Sequence, residues 1–494
     1  MSTSTSLIER HAAARISLPV IAHLIGPKRV TAGSAGVFIH HSPTTGRQQA
    51  EVPLGGHAEV DAAVTAARAA YPAWRKTLPT TRRDLLNKLA LLIESRTDDF
   101  ARIAALEIGM PIGSAAMIAR LTREWISYYA GWADKITGDV SRSTPDELAY
   151  TIPDPYGVIA IIVTWNGPLI SLGMKVAPAL AAGNTVVIKP AEFTPFTAQL
   201  FVELCLEAGI PPGVVNLVHG AAEAGSALTS HRGVDKISFT GGPATAQRIL
   251  ESAAKTMRPT VLELGGKSAN LLFEDADMAQ ALPFSVSMCM MLAGQGCSFP
   301  TRLLVQDTIY DQTLQGLQQV IGQLAIGDPM LPTTFMGPLV NRAAVDRVMG
   351  FIDRAKAQKS GKLVTGGKRL EGELAAGCFI APTVFADVDP RSELATTEVF
   401  GPVLSVMKFS SEEEAMALAN ATEYGLAAYI QSNDAGRIRR LAAGLRAGSI
   451  CVNGAIAVQP HAPFGGIGLS GVGKEGGKAG LDEFIFQKSV LTRG

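Results

Sequence analysis

The sequence predicts an α/β protein with a doubly wound parallel sheet. From residue 157 to 264, short β-branched runs alternate with stretches of helical spacing, a pattern typical of buried strands joined by helices. A second alternating pattern begins after residue 265. At 494 residues the chain is too long for one core, so we expect two or three domains.

The first pattern contains five predicted strands separated by helices. The strands are expected at residues 158–163, 185–188, 214–218, 236–240 and 260–264. The helices are expected at 169–180, from Thr194 and Pro195 to Gly209, from Ala221 onward, and at 243–254. Ligands bind at the carboxyl ends of such strands, and here those ends carry Trp165, Lys189, Gly241 and Glu263.

The regions on either side of this pattern also read as α/β structure. Two helices are predicted before it, at 60–74 and 82–108, and the second has an apolar face formed by Leu85, Leu86, Leu89, Leu91 and Leu92. The second pattern runs through 301–305, 309–321, 345–357, 403–409, 438–445 and 449–452. Residue 297 should therefore lie at the seam between two α/β domains.

Composition and charge favour a globular protein that acts on a small molecule. Hydrophobic residues make up 47% and charged residues 18% of the chain, which argues against disorder. The 44 basic and 44 acidic residues cancel, so no net field would attract nucleic acid or anionic lipid. We therefore predict no nucleic-acid partner. No window of the sequence approaches eighteen uncharged apolar residues, so we also predict no membrane span.

The cysteines and histidines indicate neither disulfides nor a metal centre. The five cysteines are odd in number, scattered, and form no C-x-x-C pair: Cys205, Cys289, Cys297, Cys378 and Cys451. The eight histidines form no H-x-x-x-H pattern and no cluster with cysteine. We therefore expect no metal and a reducing, cytoplasmic setting.

Cys297 and Glu263 form the strongest chemical signal in the chain. Cys297 ends the run Gly-Gln-Gly-Cys (294–297), and Glu263 begins Glu-Leu-Gly-Gly-Lys (263–267). A soft nucleophile and a carboxylate, each in a glycine-bearing turn, indicate covalent catalysis with proton transfer. Backbone N–H groups around Cys297 are expected to lower its pKa and to hold an oxyanion. The other four cysteines are interpreted as buried small hydrophobic residues.

The glycine-rich runs that look like phosphate loops are false matches. Gly466, Gly468 and Gly471 satisfy G-x-G-x-x-G, but they follow Pro463 and Phe464 instead of a hydrophobic strand. A nucleotide triphosphatase is therefore not indicated.

Seven motifs that occur in order resemble the NAD(P)-dependent aldehyde dehydrogenase superfamily, from about residue 30 to the end of the chain. They are Trp165-Asn166, Lys189-Pro190-Ala191-Glu192, Phe239-Thr240-Gly241, residues 263–267, residues 294–297, Glu398-Val399-Phe400-Gly401-Pro402 and Pro463-Phe464-Gly465-Gly466. The resemblance implies a Rossmann-like cofactor domain, a second α/β catalytic domain and a small β oligomerisation element.

The resemblance also implies catalytic roles. Cys297 would attack an aldehyde to give a thiohemiacetal, whose oxyanion is held by the Asn166 amide and the Cys297 backbone N–H. Glu263 would activate the water that hydrolyses the resulting thioester. Lys175 and Glu475 match positions that help to orient Asn166 and to relay protons.

The implied cofactor is NAD, with NADP left open. Lys189 and Glu192 would bind the adenosine ribose, and Glu398 the nicotinamide ribose beside Phe400. A carboxylate at position 192 would repel a 2′-phosphate, which favours NAD. Trp165, Gly241 and Gly242 complete the predicted cofactor site, although Gly242 stands where relatives usually carry serine.

Two departures from the family pattern suggest a roomy substrate tunnel. Gly167 and Val458 replace frequent aromatic residues, and Met174, Met290 and Phe464 are expected to line the same pocket. We predict a bulky apolar aldehyde, aromatic or terpenoid-like, as the substrate. The opposing interpretation is that Phe299 refills the space and short aldehydes are preferred.

The resulting domain assignment divides the chain into three parts. Residues 1–136 and 156–264 form the cofactor-binding domain, 265–470 the catalytic domain, and 137–155 with 480–494 the oligomerisation element of a homodimer or homotetramer. Two alternative functions stay open: a catalytically silent binding protein with the same fold, and a CoA-acylating aldehyde dehydrogenase.

Overall fold

The computed structural model describes residues 6–15, 18–142 and 144–493. Its helices are α1 (Leu7–Arg15), α2 (His57–Lys76), α3 (Pro79–Ser95), α4 (Thr97–Glu107), α5 (Ile112–Ala130), α6 (Pro168–Ala182), α7 (Pro195–Glu207), α8 (Ala222–Ser230), α9 (Pro243–Ala254), α10 (Met278–Met290), α11 (Tyr310–Gly322), α12 (Arg342–Ala357), α13 (Glu393–Thr396), α14 (Glu412–Asn420), α15 (Ala435–Gly444) and α16 (Gly477–Asp482).

The strands are β1 (His23–Ile25), β2 (Lys28–Val30), β3 (Val37–His41), β4 (Gln48–Pro53), β5 (Val140–Ser141), β6 (Glu147–Pro155), β7 (Val158–Ile162), β8 (Thr185–Lys189), β9 (Val215–Leu217), β10 (Lys236–Thr240), β11 (Thr260–Glu263), β12 (Ala269–Leu272), β13 (Arg302–Gln306), β14 (Lys362–Thr365), β15 (Thr383–Ala386), β16 (Val403–Phe409), β17 (Ala427–Gln431), β18 (Ser449–Val452), β19 (Gly471–Val472) and β20 (Ile485–Arg493).

The first sheet confirms the predicted doubly wound topology. Its order is β19-β11-β10-β7-β8-β9-β1-β2, and the five strands from β11 to β9 are parallel. Along β7, Ile159 and Ile161 join the core beneath α3, α5, α6 and α7, whereas Val158, Ala160 and Ile162 join the core beneath α2, α8 and α9. Every residue of β7 and β8 is buried, as expected for strands covered on both faces.

The second domain has its own sheet and its own core. Seven strands run in the order β14-β15-β16-β13-β12-β17-β18, parallel except for β14 at the edge. All six elements that the sequence predicts in this region are present, each within a few residues of its predicted bounds. β12 and β17, which no sequence pattern predicted, lie between β13 and β18 in this sheet.

The prediction of one helix over residues 82–108 is wrong. The structure has α3 and α4, separated at Arg96, whose backbone at φ −108° and ψ 19° is not helical. Leu91 was expected on the apolar face but is 59% exposed, since the buried face of α3 carries Leu86, Leu89 and Ile93.

A short C-terminal segment crosses back to the first sheet and completes it. β19 pairs antiparallel with β11, so that Gly471 lies opposite Glu263. This return brings the chain that follows, including Lys474 and Glu475, close to the end of β11. β20 then pairs along all nine residues of β6, and β5 adds a third strand. None of the helices within the described ranges combines the length and the apolar character needed to traverse a lipid bilayer.

Asn184 ties three parts of the first domain together, and we predict that its loss lowers stability. Its buried side chain accepts from the Gly157 N–H at 2.9 Å and donates to the carbonyls of Ala179 and Phe484 at 3.1 and 2.9 Å. Asn184→Ala should lower the free energy of unfolding by about 3 kcal/mol, because three buried backbone groups lose a partner.

Thermal unfolding followed by circular dichroism measures this change. Gln358→Ala is the control, since Gln358 is exposed at the end of α12, and it should shift stability by less than about 0.5 kcal/mol. Equal melting temperatures for the two variants would contradict the prediction.

Candidate active site

One cleft between the two domains collects most of the predicted site residues. It has a volume of about 780 Å³ and opens at the carboxyl ends of β7, β8, β10 and β11. Its lining includes these residues that the sequence analysis singled out: Trp165, Asn166, Lys189, Glu192, Gly241, Gly242, Cys297, Glu398 and Phe400. The cleft is large enough for a dinucleotide, and Cys297 forms part of its lining.

The backbone at Cys297 packs closely against the backbone at Gly266. A Cβ on Gly266 would clash with the Cys297 carbonyl, so only glycine lets these two segments pack together. Cys297 is half-buried, whereas the other four cysteines are buried. The N–H groups of Cys297 and Ser298 face its sulfur. The sulfur is therefore oriented toward the cleft and has donors beside it.

The thiol is nevertheless protonated at neutral pH. Burial raises the pKa of Cys297 to about 12, and the carboxyl groups of Glu398 and Glu263 raise it further in the same direction. The expectation of a lowered pKa is wrong for this structure, because the two N–H groups are outweighed by the surrounding protein.

Asn166 stands beside Cys297 with one amide hydrogen already used. Its Nδ2 donates to the Gln295 carbonyl at 2.8 Å. An amide nitrogen carries two hydrogens, so the second can point to an oxyanion formed at Cys297.

Glu263 is a buried carboxyl group next to a buried ion pair. It is 3% exposed, and neither of its oxygens has a hydrogen-bond partner within the described residues. Burial raises its pKa well above the usual value, and the charge of Glu475 raises it further, while Lys175 and Lys474 act against this. Lys175 pairs with Glu475 and donates to the Ser238 hydroxyl at 3.1 Å. The structure thus brings together Glu263, Lys175 and Glu475.

The far end of the cleft has the features of a nucleotide site. Lys189 Nζ donates to the carbonyls of Pro190 and Gly220 at 2.8 and 2.7 Å, which leaves one hydrogen free. Burial lowers the pKa of Lys189 to about 8, and the charge of Glu192 opposes that shift. The N-terminus of α9 opens on the same cleft at Gly242, where its backbone dipole favours phosphate.

Glu398 and two aromatic rings form the end of the cleft nearest Cys297. Glu398 Oε1 accepts from the Gly266 N–H at 2.9 Å, and a Cβ on Gly265 would clash with the Glu398 carboxyl group. Burial raises the pKa of Glu398 to about 7, although the Gly266 N–H, Lys267 and Arg347 lower it. Trp165 and Phe400 meet edge to face, with centroids 5.5 Å apart.

The predicted substrate residues divide between the two cores. Met174 and Phe464 are buried in the core of the first domain, and Val458 and Cys297 pack against it. Gly167 is half-buried at the start of α6. Met290 is fully buried in the core of the second domain, so the structure does not bring it together with the other four.

Several cleft residues were missed by the sequence analysis. Arg347 on α12 donates to the Phe400 carbonyl at 3.2 Å and to the Val399 carbonyl. Other polar residues reach the cleft from α8 and α9: Ser226, Thr229, Thr245, Arg248 and Ser252. They belong to no motif, and only the pairing of the helices with the sheet places them here. Within the described ranges, no group of three His, Cys, Asp or Glu side chains could hold a metal ion.

Comparison with known proteins identifies relatives over nearly the whole chain. A sequence profile of the aldehyde dehydrogenase family matches residues 30–490. An aldehyde dehydrogenase of Alternaria alternata is 39% identical over 92% of this chain and 91% of its own length. A betaine aldehyde dehydrogenase of Cereibacter sphaeroides (strain ATCC 17029 / ATH 2.4.9) is 38% identical over 91% of this chain and 92% of its own length.

Solved structures show the same likeness. A betaine aldehyde dehydrogenase of Staphylococcus aureus in complex with NAD⁺ superposes with a TM-score of 0.95 at 33% identity, covering 98% of this chain and 97% of that chain. PnpE from Pseudomonas sp. WBC-3, solved in complex with nicotinamide adenine dinucleotide, superposes with a TM-score of 0.94 at 39% identity. The superposition covers 96% of this chain and 98% of that chain.

The raised pKa of Cys297 predicts how its alkylation depends on pH. Only the thiolate reacts, so its rate with iodoacetamide should rise about tenfold per pH unit from pH 7 to 9, without a plateau. Mass spectrometry of the peptide that contains residue 297 gives the rate, and Cys297→Ser marks the background. A plateau with a midpoint near pH 7 would contradict the prediction.

Proposed function

We propose a substrate class and a course of reaction from one premise: the chain belongs to the aldehyde dehydrogenase family. It is an NAD-dependent aldehyde dehydrogenase, an oxidoreductase with a Rossmann-like domain. The substrate that we propose is a bulky apolar aldehyde, aromatic or terpenoid-like, which leaves as its carboxylic acid. The observation that carries the course of reaction is that one cleft holds Cys297 together with Lys189, Glu192 and Glu398.

The first covalent step joins the sulfur of Cys297 to the aldehyde carbon. The thiol must first give its proton to the ionised Glu263 carboxylate, since the pKa of Cys297 is raised to about 12 and Glu263 is close enough to act on it. As the S–C bond forms, the carbonyl oxygen becomes an oxyanion that accepts from the Asn166 amide and the Cys297 N–H. When bound, NAD would supply the acceptor for the hydride that leaves the former aldehyde carbon, and loss of that C–H bond turns the thiohemiacetal into a thioester.

Glu263 serves the hydrolytic half of the reaction. In its ionised form it takes a proton from water, which attacks the thioester carbon and releases the acid and the Cys297 thiolate. Its raised pKa makes it a strong base once deprotonated. Glu475 and Lys175 form a buried ion pair beyond Glu263, and this pair would take the proton on from Glu263.

The cleft fits NAD through residues of both domains. Lys189 and Glu192 would hold the adenosine ribose, the start of α9 the phosphates, and Glu398 the nicotinamide ribose. The Glu192 carboxylate would repel the 2′-phosphate of NADP, which supports NAD as the preferred dinucleotide. Gly242 offers no hydroxyl to the phosphates, so we expect weaker binding and not a change of cofactor.

The apolar surroundings of Cys297 support the substrate class. Its partly exposed side chain packs against the same core as Val458, Met174 and Phe464. A glycine at position 167 leaves the mouth of this region without a side chain. Apolar contact area is the main source of affinity in such pockets, so large hydrophobic aldehydes should bind best.

Relatives named betaine aldehyde dehydrogenase raise a second substrate class, a quaternary ammonium aldehyde. Binding such a cation uses the faces of several aromatic rings. Here Phe464 is the one aromatic side chain among the five predicted substrate residues, and Gly167 and Val458 offer none. This composition favours a neutral apolar substrate over a cationic one.

The three-stranded sheet of β5, β6 and β20 supports a proposal of homodimers or homotetramers. It exposes large apolar side chains, with Val140 75%, Leu148 45% and Leu491 77% exposed. Large apolar side chains that stay exposed on a small sheet, here Val140 and Leu148 on one face and Leu491 on the other, are typical of a subunit interface. All five cysteines are free, which supports a location in the reducing cytoplasm.

NADH formation over a panel of aldehydes tests the function. We expect turnover with NAD, and Cys297→Ala should reduce it at least about 10⁴-fold while NAD affinity changes less than twofold. Absence of NADH with every aldehyde would support the alternative of a silent binding protein. Faster turnover on adding CoA would support the CoA-acylating alternative, in which a thiol replaces water.

Gly167→Phe tests the substrate class. The Gly167 backbone is not left-handed (φ −148°, ψ 61°), and the atom nearest to an added Cβ is the Ile170 Cγ2 at 3.0 Å. We expect kcat/KM for a ring-bearing aldehyde such as cinnamaldehyde to fall at least about tenfold, and kcat/KM for acetaldehyde to change less than about threefold.

Gly113→Phe is the matched control, because a Cβ on Gly113 meets no atom within 4 Å. It should leave both values unchanged. A wild-type preference for acetaldehyde, or for betaine aldehyde, over ring-bearing aldehydes would overturn the substrate proposal.

A further inference from the structure

The chain takes an unusual backbone conformation just before Cys297. Leu292 (φ 52°, ψ 30°) and Ala293 (φ 54°, ψ 37°) are left-handed, and Gly294 follows at φ 73°. Side chains with a Cβ rarely adopt this region, since the Cβ crowds the following carbonyl. Two such residues in succession therefore persist only if contacts elsewhere hold the turn, which we call the left-handed turn 292–294.

The side chain of Gln295 supplies those contacts. Its Nε2 donates to the Leu292 carbonyl at 2.8 Å, and the Gln295 backbone N–H donates to the same carbonyl at 3.2 Å. Its Oε1 accepts from the Val340 N–H at 2.9 Å. The side chain is only 4% exposed. Gln295 thus closes the turn on one side and anchors it to the segment before α12 on the other.

Gly294 completes the turn from the opposite side. A Cβ at this position would clash with the Gly401 carbonyl, so the turn lies directly on the segment that follows Glu398 and Phe400. The turn is therefore held between two backbone segments of the second domain, at residues 338–340 and 401–402.

The backbone of Gln295 links this turn to the proposed oxyanion donor. Its carbonyl accepts from Asn166 Nδ2, and Cys297 follows two residues later. A cavity of about 10 Å³ between Asn166, Leu292 and Gln295 would let the amide shift if this carbonyl moved. The position of both oxyanion donors depends on where residue 295 is held.

We propose that Gln295 is a positioning residue, whose buried side chain holds the strained turn 292–294 and thereby sets the Asn166 amide and the Cys297 N–H around the reacting oxygen. This inference rests on the proposed function. Gln295 touches neither sulfur nor substrate and acts through Asn166 and the backbone of residue 297.

Gln295→Met tests the proposal, because methionine matches its length but forms none of its hydrogen bonds. We expect kcat with cinnamaldehyde to fall between about 10-fold and 100-fold, since a shift of 1 Å in a catalytic group costs about 10²-fold. KM and the Kd for NAD should change less than about twofold. Gln431→Met is the control: that side chain is also buried and donates to Asn270, but it lies away from Cys297, so kcat should be unchanged.

Ala293→Gly in the Gln295→Met background tests the strain directly. Glycine adopts the left-handed region without a penalty, so the double variant should recover kcat about fivefold over Gln295→Met. Because relief of strain at position 293 also raises overall stability, kcat is compared per molecule of folded protein in the two variants. A kcat equal to wild type in folded Gln295→Met, or no recovery in the double variant, would overturn the proposal.

Hydrogen exchange separates this inference from the proposed function. The amide of Val340 and those of residues 291–298 should exchange at least about tenfold faster in Gln295→Met than in the wild type. If the wild type oxidises no aldehyde, the proposed function fails, and the exchange rates still decide whether Gln295 holds the turn. Equal rates in both proteins would overturn the inference even if turnover falls.

Discussion

The site depends on close backbone contacts that only glycine allows. Gly266 lies against the Cys297 carbonyl, Gly265 against the Glu398 carboxyl group, and Gly294 against the Gly401 carbonyl. Each contact joins two segments that are distant in sequence, and a single Cβ at any of the three would push them apart. The positions of the Cys297 thiol and the Glu398 carboxyl group therefore depend on these close contacts at glycine as much as on hydrogen bonds.

This dense packing has an electrostatic consequence, since it buries three acidic groups together. The pKa values of Cys297, Glu263 and Glu398 are all raised, in each case mainly by burial. Ionising Glu263 or Glu398 disfavours the Cys297 thiolate, because like charges repel across this largely buried site. At neutral pH the Cys297 thiol is therefore mostly protonated, and any change in the cleft that stabilises negative charge would raise the thiolate fraction and its reactivity.

The sequence predicted the strands of the first sheet well and named many of the residues that line the cleft, because both leave local signals. The helix at 243–254 was predicted with its observed bounds, and the five parallel strands to within one or two residues, since periodicity and capping are properties of neighbouring residues. Arg347 could not be predicted, because its contacts to residues 399 and 400 lie more than fifty positions away. The pKa of Cys297 was misjudged for the same reason: N–H neighbours are visible in a sequence, but burial is not.

The return of the chain at β19 connects the substrate pocket to the proton-handling groups. Phe464 and Glu475 exchange backbone hydrogen bonds at 2.6 and 2.7 Å, so a residue of the expected substrate wall and a member of the buried ion pair move as one unit. Gly465, next to Phe464, lies against the Glu263 carboxyl group, which a Cβ at that position would meet. A substrate that displaces Phe464 would therefore also move the surroundings of Glu263. Under the roles proposed for Phe464 and Glu263, substrate shape and the pKa of Glu263 would be coupled through the bridge between Phe464 and Glu475. Altering the pocket would then change the rate of thioester hydrolysis as well as the rate of the first covalent step.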